Sequence, residues 1–415
     1  MDFKGKCGLI IGSGESGRGA EYALKKLGAN SEVIDTEYIP TDMNKYDFIV
    51  VSPGIRHDHP AYKYSALHNV PIYGEIGLGA ILNTAPVLGV TGTNGKTTTV
   101  GMLGSIYESA KINAVVCGNI GVSFARTSAD GGYDRAIIEL SSFQLLQASP
   151  LKVHIACITN LSADHLDYHG NMLEYRHAKL KIADGQTAED FLIVPEKFNL
   201  VGISGTPTII RFGKDCYEKN GELYAFGKPF MSTSELNVKG AHNVENALNS
   251  ALMAMLDGIS AEDVRRGLMN FKSDKYRLSL VGEYNDVKFY NDSKGTNISA
   301  CLSATKCMKG STSLIVGGSD KGYDYDDLFL GLPEMISAVF VTGDNAEKIM
   351  TSAHRMGYKN IMLCSSLAEA VKRSAGGGFD NALFSPASAS FDRYANYKER
   401  GDAFEREVKK LFGAN

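Results

Sequence analysis

The sequence predicts an α/β protein of three domains, and three observations carry this prediction. Apolar, strand-like runs alternate with helix-like stretches along most of the 415 residues, which is the pattern of parallel sheets covered by helices. Two glycine-rich turns, at 12–17 and 89–98, each follow a strand-like run and precede a helical pattern. The length is sufficient for two or three domains of roughly 100–200 residues each.

Composition separates the chain from membrane and nucleic-acid-binding proteins. Hydrophobic residues make up 44% and charged residues 22%, the net charge is −4, and the basic residues are dispersed. No apolar run approaches the roughly 20 residues of a membrane span, and the N-terminus lacks the pattern of a signal peptide. The seven cysteines include no Cys-x-x-Cys pair, which is typical of reduced thiols. We expect a cytoplasmic protein with no nucleic-acid partner and no membrane span.

The first segment has the pattern of a Rossmann-like domain. A strand over 7–11 leads into Gly-Ser-Gly-Glu-Ser-Gly at 12–17, a helical pattern follows to Leu27, and later strands end at Asp35 and Val51. Glycines in such a turn let a phosphate approach the helix N-terminus. The ligand could be NAD or another phosphorylated molecule, or the turn could be purely structural. About 85 residues are too few for a complete dinucleotide fold of two halves.

The second glycine-rich turn predicts a variant P-loop. It reads Gly-Val-Thr-Gly-Thr-Asn-Gly-Lys-Thr-Thr at 89–98, with Val90 where the usual P-loop has its first glycine. Lys96 can reach the β- and γ-phosphates of a nucleotide, and the Thr97 hydroxyl can hold Mg²⁺. The alternative is an ordinary glycine turn. The predicted phosphate-binding residues are Gly92, Thr93, Asn94, Gly95, Lys96, Thr97 and Thr98.

Candidate metal ligands follow the next two strands. Glu139 ends a strand over 135–138, and a strand over 153–158 leads to a cluster at 160–169 that contains His165. Ligands of open parallel sheets bind beyond the carboxyl ends of strands, so we expect a Mg²⁺ site near the phosphate loop. A solvated carboxylate and a capping cluster are the alternatives, and no second group has zinc-ligand spacing. Lys179 by itself would be a surface lysine.

The last segment predicts a second Rossmann-like unit. A hairpin over 281–290 turns at Asn285-Asp286, and later strands over 314–316, 339–342, 361–364 and 382–384 alternate with helical stretches. Loops at 317–321 and 385–390 follow two of these strands. The lysines at 294 and 321 could meet an anionic substrate or be solvated. Residues 190–235 contain short strand-like pieces and no recognisable chemistry.

Together these motifs resemble the Mur ligase family over nearly the whole chain. The matching segments are 89–98, 118–121, 139–144, 164–167, 175–180, 242–247, 291–297 and 385–392. The resemblance implies a UDP-sugar-binding domain over 1–85, an ATP-binding domain over 86–275 and an amino-acid-binding domain over 276–415. It implies a monomeric, ATP-dependent ligase of peptidoglycan precursor synthesis. The substrates would be ATP, UDP-N-acetylmuramoyl-L-alanine and D-glutamate, joined through an acyl phosphate.

The resemblance also implies roles for individual residues. Lys179 would be carbamylated and would hold a second Mg²⁺ with His165, and Lys96, Glu139, His165 and Lys179 would form the catalytic set. The implied metal ligands are Thr97, Glu139, His165 and Lys179. The implied UDP-sugar contacts are Glu15, Ser16, Asp35, Thr36, Asn119 and Ser141. The implied ATP contacts beyond the loop are Asn246, Arg277 and Asp292, and those for D-glutamate are Thr296, Lys321, Ser390 and Tyr397.

Other functions remain open at this point. A nucleotide-binding switch would share the P-loop, and an NAD-dependent dehydrogenase would share only the turn at 12–17. Among ligases, the alternatives are the other Mur enzymes and the folylpolyglutamate synthases. The short first domain, the Ser-Pro-Gly-Ile sequence at 52–55 and the lack of an Asp-Asn-Pro-Arg stretch favour the branch that adds D-glutamate.

Overall fold

A computed structural model describes residues 2–35, 43–238, 240–272, 275–320, 322, 324–411 and 413, apart from the side chain of Asp167. Within these residues the strands form three sheets with helices packed on them. The prediction of an α/β protein with three sheet-centred parts is confirmed.

The first sheet is parallel, with strand order β2-β1-β3-β4. Its elements are β1 Cys7–Ile11, α1 Glu15–Lys26, β2 Asn30–Ile34, β3 Phe48–Val51, α2 Pro60–His68, β4 Ile72–Gly74 and α3 Glu75–Leu82. Separate apolar clusters cover its two faces, one around Ile10 and Phe48 and one around Leu9 and Ile49. Burial on both faces explains why these strands are continuous apolar runs in the sequence.

The second sheet runs in the order β13-β12-β11-β10-β9-β8-β5-β7-β6. Its strands are β5 Val87–Thr91, β6 Ala114–Gly118, β7 Arg135–Glu139, β8 Ile155–Ile158, β9 Phe191–Pro195, β10 Thr208–Phe212, β11 Cys216–Lys219, β12 Glu222–Ala225 and β13 Lys228–Ser232. Its helices are α4 Lys96–Ser109, α5 Phe124–Asp130, α6 Ser142–Leu145, α7 Leu166–His169, α8 Met172–Leu180, α9 Ala241–Leu256 and α10 Ala261–Asn270.

The position of β5 in this sheet places the phosphate loop between two other strand ends. β5 pairs in parallel with β7 on one side and β8 on the other. The loop after β5 therefore lies beside the residues that follow β7 and β8. Residues 190–235 extend the same sheet through β9 to β13, of which the last three pair antiparallel.

The third sheet has the order β14-β15-β19-β16-β17-β18. Its strands are β14 Ser279–Tyr284, β15 Val287–Asn291, β16 Thr312–Val316, β17 Ile336–Val341, β18 Ile361–Leu363 and β19 Asn381–Phe384. Its helices are α11 Ile298–Thr305, α12 Asp326–Gly331, α13 Ala346–Arg355, α14 Leu367–Gly376 and α15 Tyr397–Leu411. The predicted hairpin is present, and Asn285 and Asp286 both have positive φ, 50° and 62°, as a two-residue hairpin turn requires.

The chain divides into two compact units. One contains Met1–Asn237 and Asn243–Phe271, and the other contains Val238–His242 and Lys272–Asn415. The first two sheets share the first unit, and the third sheet lies in the second. The boundaries at 85/86 and 275/276 stay predictions. No helix among the described residues is long and apolar enough to cross a membrane.

Candidate active site

The phosphate loop connects β5 to α4 through two glycines with positive φ. Gly92 has a φ of 142° and Gly95 a φ of 85°, a region that L side chains rarely adopt. A Cβ at Gly92 would lie 2.0 Å from Thr159 Oγ1, and one at Gly95 would lie 2.4 Å from Asn246 Oδ1. Glycine is therefore required at both positions. The second contact also places Asn246, which is one of the implied ATP contacts, directly against the loop.

The segment after β8 holds this loop in place. The Asn94 N–H donates to Asn160 Oδ1 over 2.9 Å, and Asn160 Nδ2 donates to the Asn94 carbonyl over 3.0 Å. Thr159 Oγ1 donates to the same carbonyl over 2.6 Å. The sequence analysis included Asn160 only as a member of the cluster at 160–169 and did not predict that this side chain holds the loop. The signal for that role is a Thr-Asn pair directly after a strand end. These bonds preorganise the loop before any phosphate binds.

Two lysines converge on one loop carbonyl. Lys96 Nζ donates to the carbonyls of Gly92 and Thr93, and Lys179 Nζ donates to the Gly92 carbonyl, each over 2.8 Å. Lys179 is 1% exposed, so its interpretation as a surface lysine is wrong. Burial, with the nearby charge of Lys96, lowers the pKa of Lys179 well below its ordinary value. Burial therefore disfavours the charged form of Lys179 relative to an exposed lysine.

Glu139 is a buried carboxylate at the end of β7. The register pairs it with Val90, one residue before the end of β5. It is 2% exposed, so a solvated carboxylate is excluded. Its Oε1 accepts a hydrogen bond from Asn119 Nδ2 over 2.9 Å, and within the described chain its buried Oε2 has no hydrogen-bond partner. A buried carboxylate oxygen without a partner is costly, and a Mg²⁺ ion would satisfy it.

His165 and Asp164 lie at the start of α7. His165 has a φ of 53°, and its Nε2 lies 3.7 Å from Asp164 Oδ2. Its ring packs edge-on against the Phe143 ring, with 4.8 Å between the ring centroids. The charges of Asp164 and Glu139 both act on Lys179, which indicates that these carboxylates lie near the buried amine. Among the residues described, no three His, Cys, Asp or Glu side chains form a group that could hold a metal. A Mg²⁺ ion often uses one or two carboxylates beside phosphates and waters.

The residues predicted for the UDP-sugar lie at two places in the first compact unit. Glu15 and Ser16 begin α1, and Ser13 Oγ donates to Asp35 Oδ1 over 2.9 Å, so the glycine turn and the end of β2 meet. Glu15 pairs with Arg18 at 3.0 Å. Thr36 lies outside the described residues.

The other two predicted UDP-sugar residues follow strands of the second sheet. Asn119 follows β6 and contacts Glu139. Ser141 caps α6 together with Gln144. Their positions link the predicted sugar side to the candidate metal ligand Glu139.

The predicted residues of the second compact unit surround the end of β15. Asp292 is buried and accepts a hydrogen bond from Ser385 Oγ over 2.6 Å. Burial raises its pKa to about 6, although Ser385 and the charge of Arg277 act in the opposite direction. Lys294 Nζ lies 5.3 Å from the centre of the Tyr397 ring, so it is not simply solvated.

The structure describes two of the three remaining residues predicted for D-glutamate. Ser390 is buried, and Thr296 is half-buried. Lys321 lies outside the described residues, so its role stays a prediction. The sequence analysis did not predict a role for Arg400. Its side chain joins the loop that follows β15 to the loop that follows β19, and these loops carry Thr296 and Ser390.

Comparison with known proteins agrees with this geometry. Residues 90–254 match the Mur ligase middle domain. The UDP-N-acetylmuramoylalanine–D-glutamate ligase of Streptococcus suis (strain 98HAH33) is 35% identical, over 98% of this chain and 98% of that protein. The crystal structure of MurF from Acinetobacter baumannii aligns with a TM-score of 0.64 at 20% identity, covering 81% of this chain and 82% of the other. MurC from Thermotoga maritima aligns with a TM-score of 0.62 at 19% identity, covering 98% and 99%.

Three findings together define the class of protein: a P-loop between two strand ends, a buried lysine beside it, and a relative that matches over the full length. The chain belongs to the Mur ligase family. Within that family, it belongs with the UDP-N-acetylmuramoylalanine–D-glutamate ligases.

Proposed function

We propose that this protein joins D-glutamate to UDP-N-acetylmuramoyl-L-alanine at the expense of ATP. The observation that carries the proposal is the preorganised phosphate loop, with Lys96 and the buried Lys179 on one carbonyl. The names of the full-length relatives support the two other substrates. Mur ligases use ATP and Mg²⁺, and the product enters peptidoglycan synthesis. We propose that the protein acts as a monomer. We also propose that it is cytoplasmic, in keeping with its seven free cysteines.

The reaction consists of two displacements. The alanine carboxylate of the UDP-sugar attacks the γ-phosphorus of ATP, ADP leaves, and an acyl phosphate forms. The amine of D-glutamate then attacks the acyl carbon, and the tetrahedral intermediate loses phosphate while the amine loses a proton. No protein nucleophile is required. The protein contributes positioning and charge neutralisation, which are the main factors in phosphoryl transfer.

Lys96 and the loop N–H groups serve the phosphates in this proposal. The α4 N-terminus adds partial positive charge at the same place. Lys96 now donates to two loop carbonyls, and it would exchange them for the β- and γ-phosphate oxygens. Thr97 follows on the first turn of α4, where its hydroxyl could hold Mg²⁺. A bound Mg²⁺ would offset the negative charge that builds up on the phosphates.

Two metal positions and a carbamate form the finer part of the proposal. The neutral form of the Lys179 amine would add CO₂ and lose a proton to solvent, and the oxygens of the resulting carbamate could hold a second ion. The carbamate would also be an anion beside the Lys96 ammonium, and this pairing of opposite charges is favourable in a buried site. Glu139 and Thr97 would serve one ion, and Lys179 and His165 the other. The unpartnered Oε2 of Glu139 supports the first of these positions.

Phosphate release from ATP tests the proposed function. We expect turnover only when UDP-N-acetylmuramoyl-L-alanine is combined with D-glutamate, in a panel with L-glutamate, L-alanine, L-lysine and meso-diaminopimelate. ADP release independent of the UDP-sugar would instead indicate a nucleotide switch. Preference for another amino acid would move the chain to a different branch of the family.

A further inference from the structure

Arg400 is a buried cation in the first turns of α15. It is 2% exposed, and its guanidinium makes four hydrogen bonds to two other segments. Nε donates to Ser293 Oγ over 3.2 Å, and Nη2 donates to the Ser293 carbonyl over 2.8 Å. Nη1 donates to the carbonyls of Ser388 and Ala389 over 2.9 and 2.7 Å. One planar side chain thus joins the loop after β15 to the loop after β19.

These two loops and α15 carry the described residues that we propose for D-glutamate. Ser293 lies three residues before Thr296, and Ala389 directly precedes Ser390. Tyr397 begins α15, and its carbonyl accepts a hydrogen bond from Ser293 Oγ over 2.8 Å. The hydroxyl that Arg400 contacts is therefore also bonded to the backbone of Tyr397. Removing the guanidinium would therefore remove hydrogen bonds that position both loops and the start of α15.

A third loop shares an acceptor with Arg400. The carbonyl of Ala389 also accepts a hydrogen bond from the Ser319 N–H over 3.0 Å. A Cβ at Gly318 would lie 2.1 Å from that carbonyl and 2.8 Å from Arg400 Nη1, so the glycine there permits the close approach. The loop after β16 is thereby packed against the same group.

Within the described structure, the Arg400 guanidinium donates no hydrogen bond to a carboxylate. Burial lowers its pKa to about 10, while Asp392, Tyr394 and Asp292 act in the opposite direction, so the group stays charged at neutral pH. Its partners are three backbone carbonyls and one hydroxyl. A guanidinium has its donors in a fixed fork, which a lysine ammonium cannot reproduce. These hydrogen bonds therefore fix the geometry of the loops after β15 and β19, and they do not neutralise the charge of Arg400.

We propose that Arg400 is a positioning residue for the amino-acid substrate, because it sets the relative places of the loops that carry Thr296, Ser390 and Tyr397. The proposal rests on the proposed function of this protein as a D-glutamate ligase. Arg400 itself need not touch the substrate. Its removal would displace several substrate contacts at once by a small distance.

Steady-state kinetics of Arg400→Ala provide the test. We expect the KM for D-glutamate to rise about tenfold to a hundredfold, since displacements near 1 Å have effects of this order. The KM for the UDP-sugar should stay within about twofold, because its predicted residues lie in the other compact unit. Added guanidinium or ethylguanidinium ion should restore part of the D-glutamate affinity. The matched control is Arg406→Ala, an exposed arginine on the same helix.

Two further variants keep the test decisive if Arg400→Ala does not fold. Arg400→Lys retains the charge without the fork and should have an intermediate KM for D-glutamate. Ser293→Ala removes only the hydroxyl and should raise that KM by a smaller factor. The proposal is overturned if the folded variants keep the wild-type KM for D-glutamate, or if all KM values rise equally with no recovery on adding guanidinium. A wild-type protein that does not use D-glutamate would contradict the proposed function instead.

Discussion

At the scale of single residues, the candidate site is governed by charges that burial makes unusual. Lys179 and Glu139 are almost completely buried, and neither forms an ion pair in the described structure that would neutralise it directly. The Glu139 Oε2 atom, which has no hydrogen-bond partner in the described structure, would be costly in a site without ligands. The arrangement is consistent with a site whose charges are balanced only when phosphates and cations are present. Two substitutions test this interpretation.

Lys96→Ala should reduce kcat by about a hundredfold or more, because one preorganised electrostatic contact in an active site contributes roughly 3–4 kcal/mol. The measurement is phosphate release at saturating substrates, with circular dichroism to confirm folding. Lys25→Ala, which removes an exposed lysine of α1, is the control for net charge. Near-native turnover in a folded Lys96→Ala protein would contradict the assignment of the ATP site.

Lys179→Ala should be almost inactive, and short carboxylates added to the assay should restore part of the activity by replacing the carbamate oxygens. Lys181→Ala, an exposed neighbour, should show neither effect. Intact mass spectrometry under native conditions with ¹³CO₂ would detect the adduct directly. An inactive Lys179→Ala protein without carboxylate rescue, together with an unmodified lysine, would refute the carbamate while leaving the ATP site in place.

At the scale of elements, the packing of α3 against α5 includes a buried acid. Glu75 begins α3, is 1% exposed, and accepts a hydrogen bond from the Ala125 N–H in the first turn of α5 over 2.6 Å. Burial raises its pKa to about 7, although hydrogen bonds from Ala125, Ser123 and Phe124 act in the opposite direction. The two helices are therefore joined by a group whose charge changes near neutral pH.

Glu75→Gln should be more stable than the wild type at pH 8 and nearly equal to it at pH 4.5. The folded protein keeps the proton up to about pH 7, so the wild type loses stability as the pH rises from about 4.5 through 7, and the neutral variant does not. The difference at pH 8 should approach about 3 kcal/mol, at about 1.4 kcal/mol for each pH unit. Urea unfolding of both proteins at the two pH values measures it, with the exposed Glu21→Gln as control. An equal difference at both pH values would refute the raised pKa.

At the scale of the whole molecule, the phosphate loop and the turn at 12–17 lie on different sheets of one compact unit. The turn meets Asp35 through Ser13, and the phosphate loop meets Asn160 and Asn246. Among the described residues, no backbone–backbone hydrogen bond joins the two loops. The proposed UDP-sugar site and the proposed ATP site should therefore respond separately to substitution.

Asp35→Ala should weaken binding of the UDP-sugar and leave ATP binding intact. Because the lost contact is one hydrogen bond of a charged group, we expect a decrease in affinity of about tenfold to a hundredfold. Isothermal titration with the UDP-sugar and with an ATP analogue measures both, and Glu21→Ala on α1 serves as control. Binding of NAD without binding of the UDP-sugar would overturn the assignment of the first sheet.

The sequence by itself determined the three sheets, the hairpin turn at Asn285-Asp286 and the phosphate loop. These features depend on patterns between near neighbours: alternating apolar runs, residues that tolerate positive φ, and glycines that precede a lysine and a helix. Most strands were predicted within two or three residues of their observed ends. Resemblance to a family added the proposed roles of residues such as Lys179, and spacing alone would not have suggested these roles.

Only the tertiary structure decided which polar side chains are buried, and against what. Lys179, Glu75 and Arg400 lie on helices where a charged residue is normally exposed, and each is buried because a segment distant in sequence covers it. Gly92 lies 87 residues from Lys179, and Ser293 lies 107 residues from Arg400. Helical periodicity shows which face of a helix is apolar. It does not show which distant carbonyl will meet a cation on that helix, because that contact is fixed by the order of strands in the folded sheet.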